Sequence, residues 1–469
     1  MLIPLIVASA LFMENLDSTV IATALPAIAA SLGESPLRLS LAITSYLFSL
    51  AVFIPASGWV ADRFGARTVF RGGILVFTIG SILCGLSSSL LAFVLARTLQ
   101  GIGGAMMTPV GRMVLVRTVQ KSELVNAMAW LTVPALIGPV IGPPLGGFIT
   151  TYFTWRWIFW INVPVGILGM VLVSLYIPDE RAEHPPPFDF RGFLIAGLGL
   201  LGVVAGFESI GRGIIPVPAA LALMAAGAVG IAAYVLHARR VAAPVIDLGL
   251  LAYPTFRVSV LGGSIFRIGI GAVPFLLPLM LQLGFGLTPF ASGLLTFAAS
   301  AGALLMKTTA ATILRHVGFR RVLIVNGLVS AAFLGAIGLL QPTTPHALIL
   351  ALLLAGGFFR SLQFTSINTL AYADLPSSRV SRATSFASMA QQLSLSIGAG
   401  TGALVLHLAA GGHGTAMPAV PDFAVAFGTV AVASALSVLV FLRLPADAGA
   451  EVSGHRPVVP AAPGDKRVS

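Results

Sequence analysis

Long apolar stretches separated by short polar ones dominate this chain. They are rich in Leu, Ala and Gly and lack the strict alternation that a lipid-facing β-strand requires. An α-helix needs about 20 apolar residues to cross the hydrocarbon of a bilayer. On that rule the sequence predicts an all-α membrane protein with fourteen transmembrane helices, at approximately 3–30, 38–59, 70–89, 91–114, 124–150, 156–177, 191–210, 216–237, 257–281, 289–311, 321–341, 346–370, 380–408 and 421–443.

The charges of the polar stretches support this count. Arg and Lys in short loops are retained in the cytoplasm, and here the opposite loops contain only Arg38, Arg156 and Arg212. We therefore predict a multi-pass protein of the inner (cytoplasmic) membrane with both termini in the cytoplasm. The basic residues that follow even-numbered spans are Arg63, Arg67, Arg71, Arg117, Lys121, Arg181, Arg191, Arg239, Arg240, Arg315, Arg320, Arg321, Arg379, Arg382 and Arg443.

Composition narrows the class further. Only 9% of the residues are charged, against about 25% in a soluble domain. The net charge of +11 would suggest nucleic acid in a soluble chain, but here basic loops face anionic lipid headgroups. Cys84 is the single cysteine, which excludes a disulfide framework. We predict no cofactor, no metal site and no nucleic-acid partner.

A weak internal repeat suggests the domain organisation. Gly65-Ala66-Arg67 lies between spans 2 and 3, and Gly318-Phe319-Arg320 lies between spans 10 and 11. These turns are equivalent if two six-helix bundles flank two inserted central helices. Paired bundles favour a transporter with its site near the membrane midplane. The predicted units are an N-terminal bundle (1–177), a linker with two extra transmembrane helices (178–256), a C-terminal bundle (257–444) and a disordered cytoplasmic tail (445–469).

The turn from Gly58 to Arg71 is polar and rich in Arg, between two apolar stretches. Its pattern GxxADRxGxR resembles the loop between the second and third helices of major facilitator superfamily transporters. The resemblance implies a conformational latch in which Asp62 pairs with an Arg and caps a helix N-terminus in one state only. Alternatively, the charges of a tight turn only set topology. The candidate latch residues are Gly58, Asp62, Arg63, Gly65 and Arg67.

Span 1 contains two acids, Glu14 and Asp17, on one helix face. A charged Asp near the middle of a membrane helix costs at least about 2.5 kcal/mol to insert. The segment 16–26, LDSTVIATALP, resembles the signature of fourteen-helix drug:proton antiporters, although Ala22 stands where that branch has Asn. The resemblance implies a role for both acids in proton coupling or substrate binding. The alternative is an acid that only packs helices together through a hydrogen bond.

Span 4 contains Arg97 within the segment 97–105, RTLQGIGGA. A buried Arg needs acceptors, and its cost falls when it meets a carboxylate. The segment resembles the family motif RxxQGxGGA, in which the Arg serves proton transfer. We therefore expect Arg97 to sense the protonation of an acid, first of all Asp17. The alternative is that Arg97 has only a structural role and pairs with backbone carbonyls.

Span 5 contains the segment 138–147, GPVIGPPLGG. Its prolines free backbone carbonyls and bend the helix, and its glycines allow close helix contact. The segment resembles the GxxxGPxxGG element of superfamily exporters, which implies export; a kinked packing helix is the alternative. The following run 155–164, WRWIFWINVP, resembles a run of the fourteen-helix branch. The candidate residues are Gly138, Gly142, Pro143, Gly146 and Gly147.

The second half offers fewer candidates. Arg267 and Arg360 fall within predicted spans and are expected to face a cavity or a partner, either as structural pairs or as ligands of an anionic substrate. Gln391 in span 13 is a candidate cavity residue. Glu208 lies near the predicted outer end of span 7, where we expect water to reach it.

Together these segments resemble the fourteen-helix drug:proton antiporter branch of the superfamily. The resemblance implies a proton-coupled efflux transporter for drugs or other apolar or cationic small molecules, working by alternating access. An exporter or symporter of a small metabolite is the alternative. An enzyme or sensor is disfavoured because HExxH and GxSxG are absent. The partners are a small-molecule substrate, protons and the lipid bilayer; we expect a monomer, compatible with a periplasmic adaptor.

Overall fold

The structure is a computed structural model, which describes residues 2–118, 124–178, 187–210, 215–376, 379–412 and 418–453. In this part of the chain the secondary structure is helical. The helices are α1 (Leu2–Leu32), α2 (Pro36–Phe64), α3 (Ala66–Leu86), α4 (Leu90–Thr118), α5 (Leu124–Tyr152), α6 (Trp157–Trp160), α7 (Asn162–Tyr176), α8 (Phe190–Ile210), α9 (Val217–Ala238), α10 (Pro254–Gly271), α11 (Val273–Leu279), α12 (Pro289–Val317), α13 (Phe319–Ile337), α14 (His346–Leu370), α15 (Val380–Gly412), α16 (Val420–Phe441) and α17 (Ala450–Ser453).

The predicted all-α membrane architecture is confirmed. Thirteen spans within the described residues are long and apolar enough to cross a membrane, and α5, with 29 residues, supplies the fourteenth. Two spans are interrupted. The break between α6 and α7 precedes Pro164, which has no N–H to donate to the Trp160 carbonyl. Pro274 has the same effect between α10 and α11, and a π-helical turn, Met280–Gly284, ends that span.

In the first half, α1 packs against α5 and α7, and α4 packs against α2 and α3. Glycines permit the close approach of α3 and α4. A Cβ at Gly103 would lie 2.8 Å from the Phe77 Cα, and a Cβ at Gly80 would lie 2.8 Å from the Gln100 Cα. This approach brings polar side chains of α3 and α4 within hydrogen-bonding reach of α1.

In the second half, α16 packs against both α10 and α13, α12 packs against α14, and α15 packs against α10. The halves meet where α5 packs against α12, α2 against α15 and α1 against α11. The helices α8 and α9 form a separate tight pair. A Cβ at Gly202 of α8 would lie 2.9 Å from the Gly227 Cα of α9.

The two turns of the weak repeat have the same conformation. Gly65 (φ 93°, ψ 134°) joins α2 to α3, and Gly318 (φ 79°, ψ 156°) joins α12 to α13. Both need glycine because their φ values are positive. Each glycine N–H also donates to a carbonyl of the preceding helix, Ala61 or Leu314.

The segment predicted to be a disordered tail is partly ordered. Residues 445–453 are described and end in the short helix α17, while 454–469 lie outside the described residues. Leu444 and Ala448 are buried in the apolar core, because a four-residue spacing puts both side chains on one face of the turn. The basic loop residues Lys121, Arg181 and Arg212 lie outside the described residues, as do residues 179–186 of the predicted linker.

Candidate functional site

Asp17 of α1 and Arg97 of α4 form an ion pair inside the first half of the protein. Arg97 Nη1 donates to Asp17 Oδ2 over 2.6 Å. Each residue is only 1% exposed. The structure therefore joins the two charges that the sequence singles out, in one buried, charge-neutral pair.

Neutral donors complete the surroundings of the carboxylate. Oδ1 of Asp17 accepts from Gln100 Nε2 over 2.9 Å and from Asn162 Nδ2 over 3.0 Å. The same two amides donate to Ser81 Oγ, at 2.7 Å and 3.1 Å. Because these side chains come from α1, α3, α4 and α7, the network links four helices through one carboxylate.

The guanidinium of Arg97 has further partners. Its Nε donates to the Ala42 carbonyl of α2 over 3.2 Å, and its Nη1 also donates to Gln100 Oε1 over 2.6 Å. The guanidinium carbon lies 4.2 Å from the centre of the Tyr46 ring, a cation–π contact. Arg97 thus contacts both a carboxylate and a backbone carbonyl, and its role in sensing protonation stays a prediction. We name this cluster of Asp17, Ser81, Arg97, Gln100 and Asn162 the Asp17–Arg97 network.

Sequence reasoning missed Ser81 and Asn162 as members of this network, and it missed the contact of the Tyr46 ring with Arg97. Asn162 offered a weak signal, an amide directly before the apolar span of α7. Glu14, the other acid of α1, is 9% exposed and accepts a 2.6 Å hydrogen bond from Thr108 Oγ1 of α4. The two acids of span 1 therefore have different partners on α4.

The glycines of α5 pack on α1. A Cβ at Gly138 would lie 3.1 Å from the Leu16 N, one at Gly142 would lie 2.9 Å from the Thr19 Cβ, and one at Gly146 would lie 2.5 Å from the Val20 O. This stripe runs beside the segment of α1 that contains Asp17. The predicted small-residue contact is present.

The opposite side of α5 faces α12. A Cβ at Gly147 would lie 2.8 Å from the Phe290 Cα, and the Pro143 carbonyl lies against Gly293. Pro143 cannot donate to the Pro139 carbonyl, and Ser300 Oγ of α12 donates to that carbonyl instead, over 2.9 Å. The freed carbonyl is satisfied by the neighbouring helix, as backbone inside a membrane requires.

Two further bonds join the halves near the predicted outer side. Gln282 Nε2 donates to the Thr23 carbonyl over 2.9 Å, and the Phe290 N–H donates to Thr151 Oγ1 over 3.1 Å. Together with the Ser300–Pro139 bond, these two bonds join α1 and α5 to α12 and to the turn that precedes α12. We name these three bonds the outer contacts.

The polar turn between α2 and α3 opens on a cavity of about 300 Å³. Gly58 and Asp62 line it together with Arg382 of α15 and Asp189, the residue before α8. Arg63 lies in the last turn of α2 and Arg67 in the first turn of α3. The turn is thus placed beside elements from both halves of the chain.

The candidates of the second half are not joined to the Asp17–Arg97 network. Arg267 is 4% exposed and donates from Nη2 to Asn368 Oδ1 over 2.6 Å, with Phe364 at 5.0 Å. Arg360 is half-buried beside a small cavity of α10–α14 that Ser330 also lines. In the described part of the chain, neither Arg is paired with a carboxylate. Gln391 is half-buried on α15.

Comparisons with known proteins agree with this architecture. The Major Facilitator Superfamily profile matches residues 7–399 and 259–465. A relative from Pectobacterium carotovorum subsp. carotovorum (strain PC1), which carries the name multidrug resistance protein MdtD, is 40% identical over 454 residues, covering 94% of this chain and 95% of its own. One from Salmonella paratyphi B with the same name is 40% identical over 449 residues, covering 94% of each chain.

Solved structures resemble the fold at low sequence identity. A D-xylose-proton symporter is 15% identical with a TM-score of 0.69, covering 96% of this chain and 98% of its own. A peptide transporter crystallised with sulfate is also 15% identical, with a TM-score of 0.67, covering 94% of this chain and 93% of its own. The profile match spans most of the residues, and the relatives match along nearly their whole length. The chain belongs to the Major Facilitator Superfamily.

Proposed function

We propose that this protein is a proton-coupled efflux transporter that exchanges protons for drugs or other apolar or cationic small molecules by alternating access. The observation that carries the proposal is the buried ion pair of Asp17 and Arg97. The names of the 40% identical relatives point to the same class of substrate. A charge pair this deep in apolar surroundings is expensive and marks function in membrane helices.

The pair gives protonation a structural consequence. A proton on Asp17 neutralises the carboxylate and leaves the guanidinium of Arg97 buried without an anionic partner. Removing one partner of a buried pair costs about 3–5 kcal/mol. The helices that hold the network must then rearrange, because Arg97 needs new acceptors. Proton binding is thereby linked to a change in the relative positions of α1, α3, α4 and α7.

The transport cycle needs a second state in which the outer contacts are broken. In the structure α1, α5 and α12 are joined from the predicted middle of the membrane, at the Ser300–Pro139 bond, towards the predicted outer side. The glycine stripe of α5 lies on the Asp17 segment of α1, and the other side of α5 lies on α12. Rearrangement around Asp17 is therefore passed through α5 to the interface between the halves.

We place the protein in the cytoplasmic membrane, with both termini in the cytoplasm and the units 1–177, 178–256 and 257–444 as two bundles around an inserted helix pair. The turn at Gly65 then faces the cytoplasm. Asp62 shares a cavity with Arg382 of α15, so a change in the position of α15 alters its electrostatic surroundings. We assign Asp62 to a latch that favours one conformation.

Reconstitution tests the proposal. Purified protein in liposomes with an imposed pH gradient should drive transport of ethidium, and Asp17→Asn should abolish the response to the gradient. Arg97→Ala should have the same effect. Glu34→Gln is the matched control, because Glu34 forms an exposed ion pair with Arg38. Gradient-driven transport that persists in a folded Asp17→Asn variant would refute the proposal.

A second candidate function is export of an anionic metabolite. It is favoured by Arg267, a buried cation whose hydrogen-bonding partner is the neutral Asn368. Counterflow with a panel of organic anions and organic cations separates the two candidates. Transport of anions that is lost in Arg267→Leu, without transport of ethidium, would favour the second.

A further inference from the structure

A small cavity of about 20 Å³ lies between α13 and α14, inside the second half of the protein. A cavity needs about 10–15 Å³ to hold one water molecule, so this one has room for a single ligand of that size. Apolar side chains of α10, α11 and α12 complete its walls. The residues that α13 and α14 present to it follow the spacing of one helix face: Ser330, Phe333, Leu334 and Ile337 on α13, and Leu353, Gly356, Gly357 and Arg360 on α14.

Ser330 and Arg360 lie at the same end of this cavity. Phe359 of α14 contacts α13 on both sides of Ser330. Its carbonyl accepts from Asn326 Nδ2 over 2.9 Å, and its ring stacks on the Phe333 ring with the centres 5.3 Å apart. Arg360 follows Phe359 directly in the chain and lines the cavity with Ser330. The cavity therefore has one polar end, which contains a guanidinium and a hydroxyl, and apolar walls elsewhere.

Both polar groups at this end lack a partner among the described residues. Ser330 is 3% exposed and its Oγ makes no hydrogen bond there, whereas the buried Ser366 donates to the Leu362 carbonyl of its own helix. The guanidinium of Arg360 has neither a hydrogen-bond acceptor nor a carboxylate within bonding distance in the same part of the chain. A cation in apolar surroundings is costly without a counter-charge, and a buried hydroxyl normally has a hydrogen-bond partner. A small anion that accepts hydrogen bonds meets both needs.

We propose that this cavity binds one chloride ion, held by the guanidinium of Arg360 and the hydroxyl of Ser330. The charge of Arg360 selects an anion, and the volume excludes organic anions, whose sites need about 300 Å³ or more. A water molecule in the same place satisfies Ser330 but leaves the charge of Arg360 without compensation. Arg360 is half-buried, which gives a small ion a route to the cavity. The bound ion stabilises the packing of α13 on α14, separately from the Asp17–Arg97 network.

Thermal unfolding of the full-length protein in detergent tests the inference. Sodium chloride is exchanged for sodium gluconate at constant ionic strength, because gluconate is too large for the cavity. The melting temperature should rise with chloride and then saturate, since a ligand that binds only the folded state stabilises it. Arg360→Gln should abolish this rise, and Ser330→Ala should increase the half-saturating chloride concentration by about tenfold or more. The controls Arg38→Gln, at an exposed ion pair, and Ser366→Ala should keep the wild-type dependence on chloride.

Bromide locates the site independently of any effect on stability. Wild-type crystals soaked in bromide should give an anomalous scattering peak beside Arg360 and Ser330, and Gly356→Ala should remove it. Gly356 lines the cavity, and a Cβ there would meet only Phe333, at 3.4 Å or more, so the added methyl group takes up space without a clash. Gly428→Ala, where a Cβ meets nothing within 4 Å, is the matched control.

Two results would overturn the inference. One is electron density in the cavity without an anomalous signal, which identifies a water molecule. The other is a dependence of the melting temperature on chloride that survives in both Arg360→Gln and Gly356→Ala, which places the ion elsewhere. Neither measurement uses a pH gradient, so failure of the proposed function would leave both results unaffected.

Discussion

The side-chain amide of Asn162 on α7 bridges Asp17 of α1 and Ser81 of α3, with hydrogen bonds of 3.0 and 3.1 Å. Asn162→Ala removes one hydrogen bond from the buried carboxylate of Asp17 and one from the Ser81 hydroxyl, which should lower the free energy of unfolding by about 1–3 kcal/mol. Asn162→Asp should lower the free energy of unfolding further, because it places a second carboxylate within hydrogen-bonding distance of the Asp17 carboxylate. Melting temperatures in detergent should fall in the order wild type, Asn162→Ala, Asn162→Asp.

Asn15→Ala is the matched control for this series. The Asn15 amide donates to the Leu11 carbonyl of its own helix, so its loss should have a much smaller effect. Equal melting temperatures for Asn162→Asp and Asn15→Ala would contradict the role of Asn162 in the network.

The contact between Gly142 of α5 and Thr19 of α1 yields a second prediction. Gly142→Ala adds a Cβ that would lie 2.9 Å from the Thr19 Cβ, and such overpacking costs about 1–3 kcal/mol. Thr19→Ala should relieve part of this cost, so the double variant should be more stable than the sum of the single effects predicts. Gly428→Ala is the control, because a Cβ there meets nothing within 4 Å. Thermal unfolding of the four variants measures the coupling; strict additivity would show that the contact is unimportant.

The elements and the central ion pair could be predicted from the sequence for one physical reason. Bilayer thickness sets the length of an apolar stretch, and a charged residue inside such a stretch stands out. Asp17 and Arg97 were recognisable in this way. Ser81 was not, because a small hydroxyl in an apolar helix usually donates to its own backbone, as Thr78 does to the Ile74 carbonyl.

The surroundings of Glu208 could not be predicted because they depend on how separate helices pack. The sequence indicates that α8 and α9 are an additional pair, and it places Glu208 near the predicted outer end. It does not indicate that α8 lies beside α2 and α15. The acid is buried against Gly400, 192 residues further along the chain. No local sequence pattern predicts that contact.

The shared cavity of Asp62 and Arg382 leads to a prediction about transport rate. Asp62→Asn keeps the size of the side chain and removes its charge, so it should reduce initial rates of ethidium efflux without preventing folding. Allosteric couplings of 1–3 kcal/mol correspond to changes of about five- to 150-fold, and we expect a reduction in this range. Asp374→Asn, at an exposed acid on the same predicted face, is the control. Unchanged efflux rates in Asp62→Asn would exclude the latch.

The hydrogen bond from Ser300 Oγ to the Pro139 carbonyl should stabilise the state with closed outer contacts. Ser300→Ala removes it, and interhelical hydrogen bonds in membranes are worth about 0.6 kcal/mol on average, which is about a threefold change in an equilibrium. To measure this, spin labels are attached after Ser88→Cys and Thr343→Cys, which lie in loops of the two halves. In Ser300→Ala, a larger population should show a longer distance between the two labels. Thr308→Ala on the same helix removes only a bond to the Leu305 carbonyl and should leave the distances unchanged. An identical distribution for Ser300→Ala would exclude this role.

Arg267 should affect stability and transport in opposite directions. It is 4% exposed, its Nε has no hydrogen-bond partner among the described residues, and its Nη2 donates to the neutral Asn368. A desolvated cation without a carboxylate is costly, so Arg267→Leu should raise the free energy of unfolding by about 1 kcal/mol or more. Charged residues inside membranes are retained for function, so the same variant should transport more slowly. Arg38→Leu breaks an exposed ion pair with Glu34 and should change stability by less than about 1 kcal/mol. A lower melting temperature for Arg267→Leu would instead identify Arg267 as a structural residue, since its bond to Asn368 would then outweigh the cost of burying its charge.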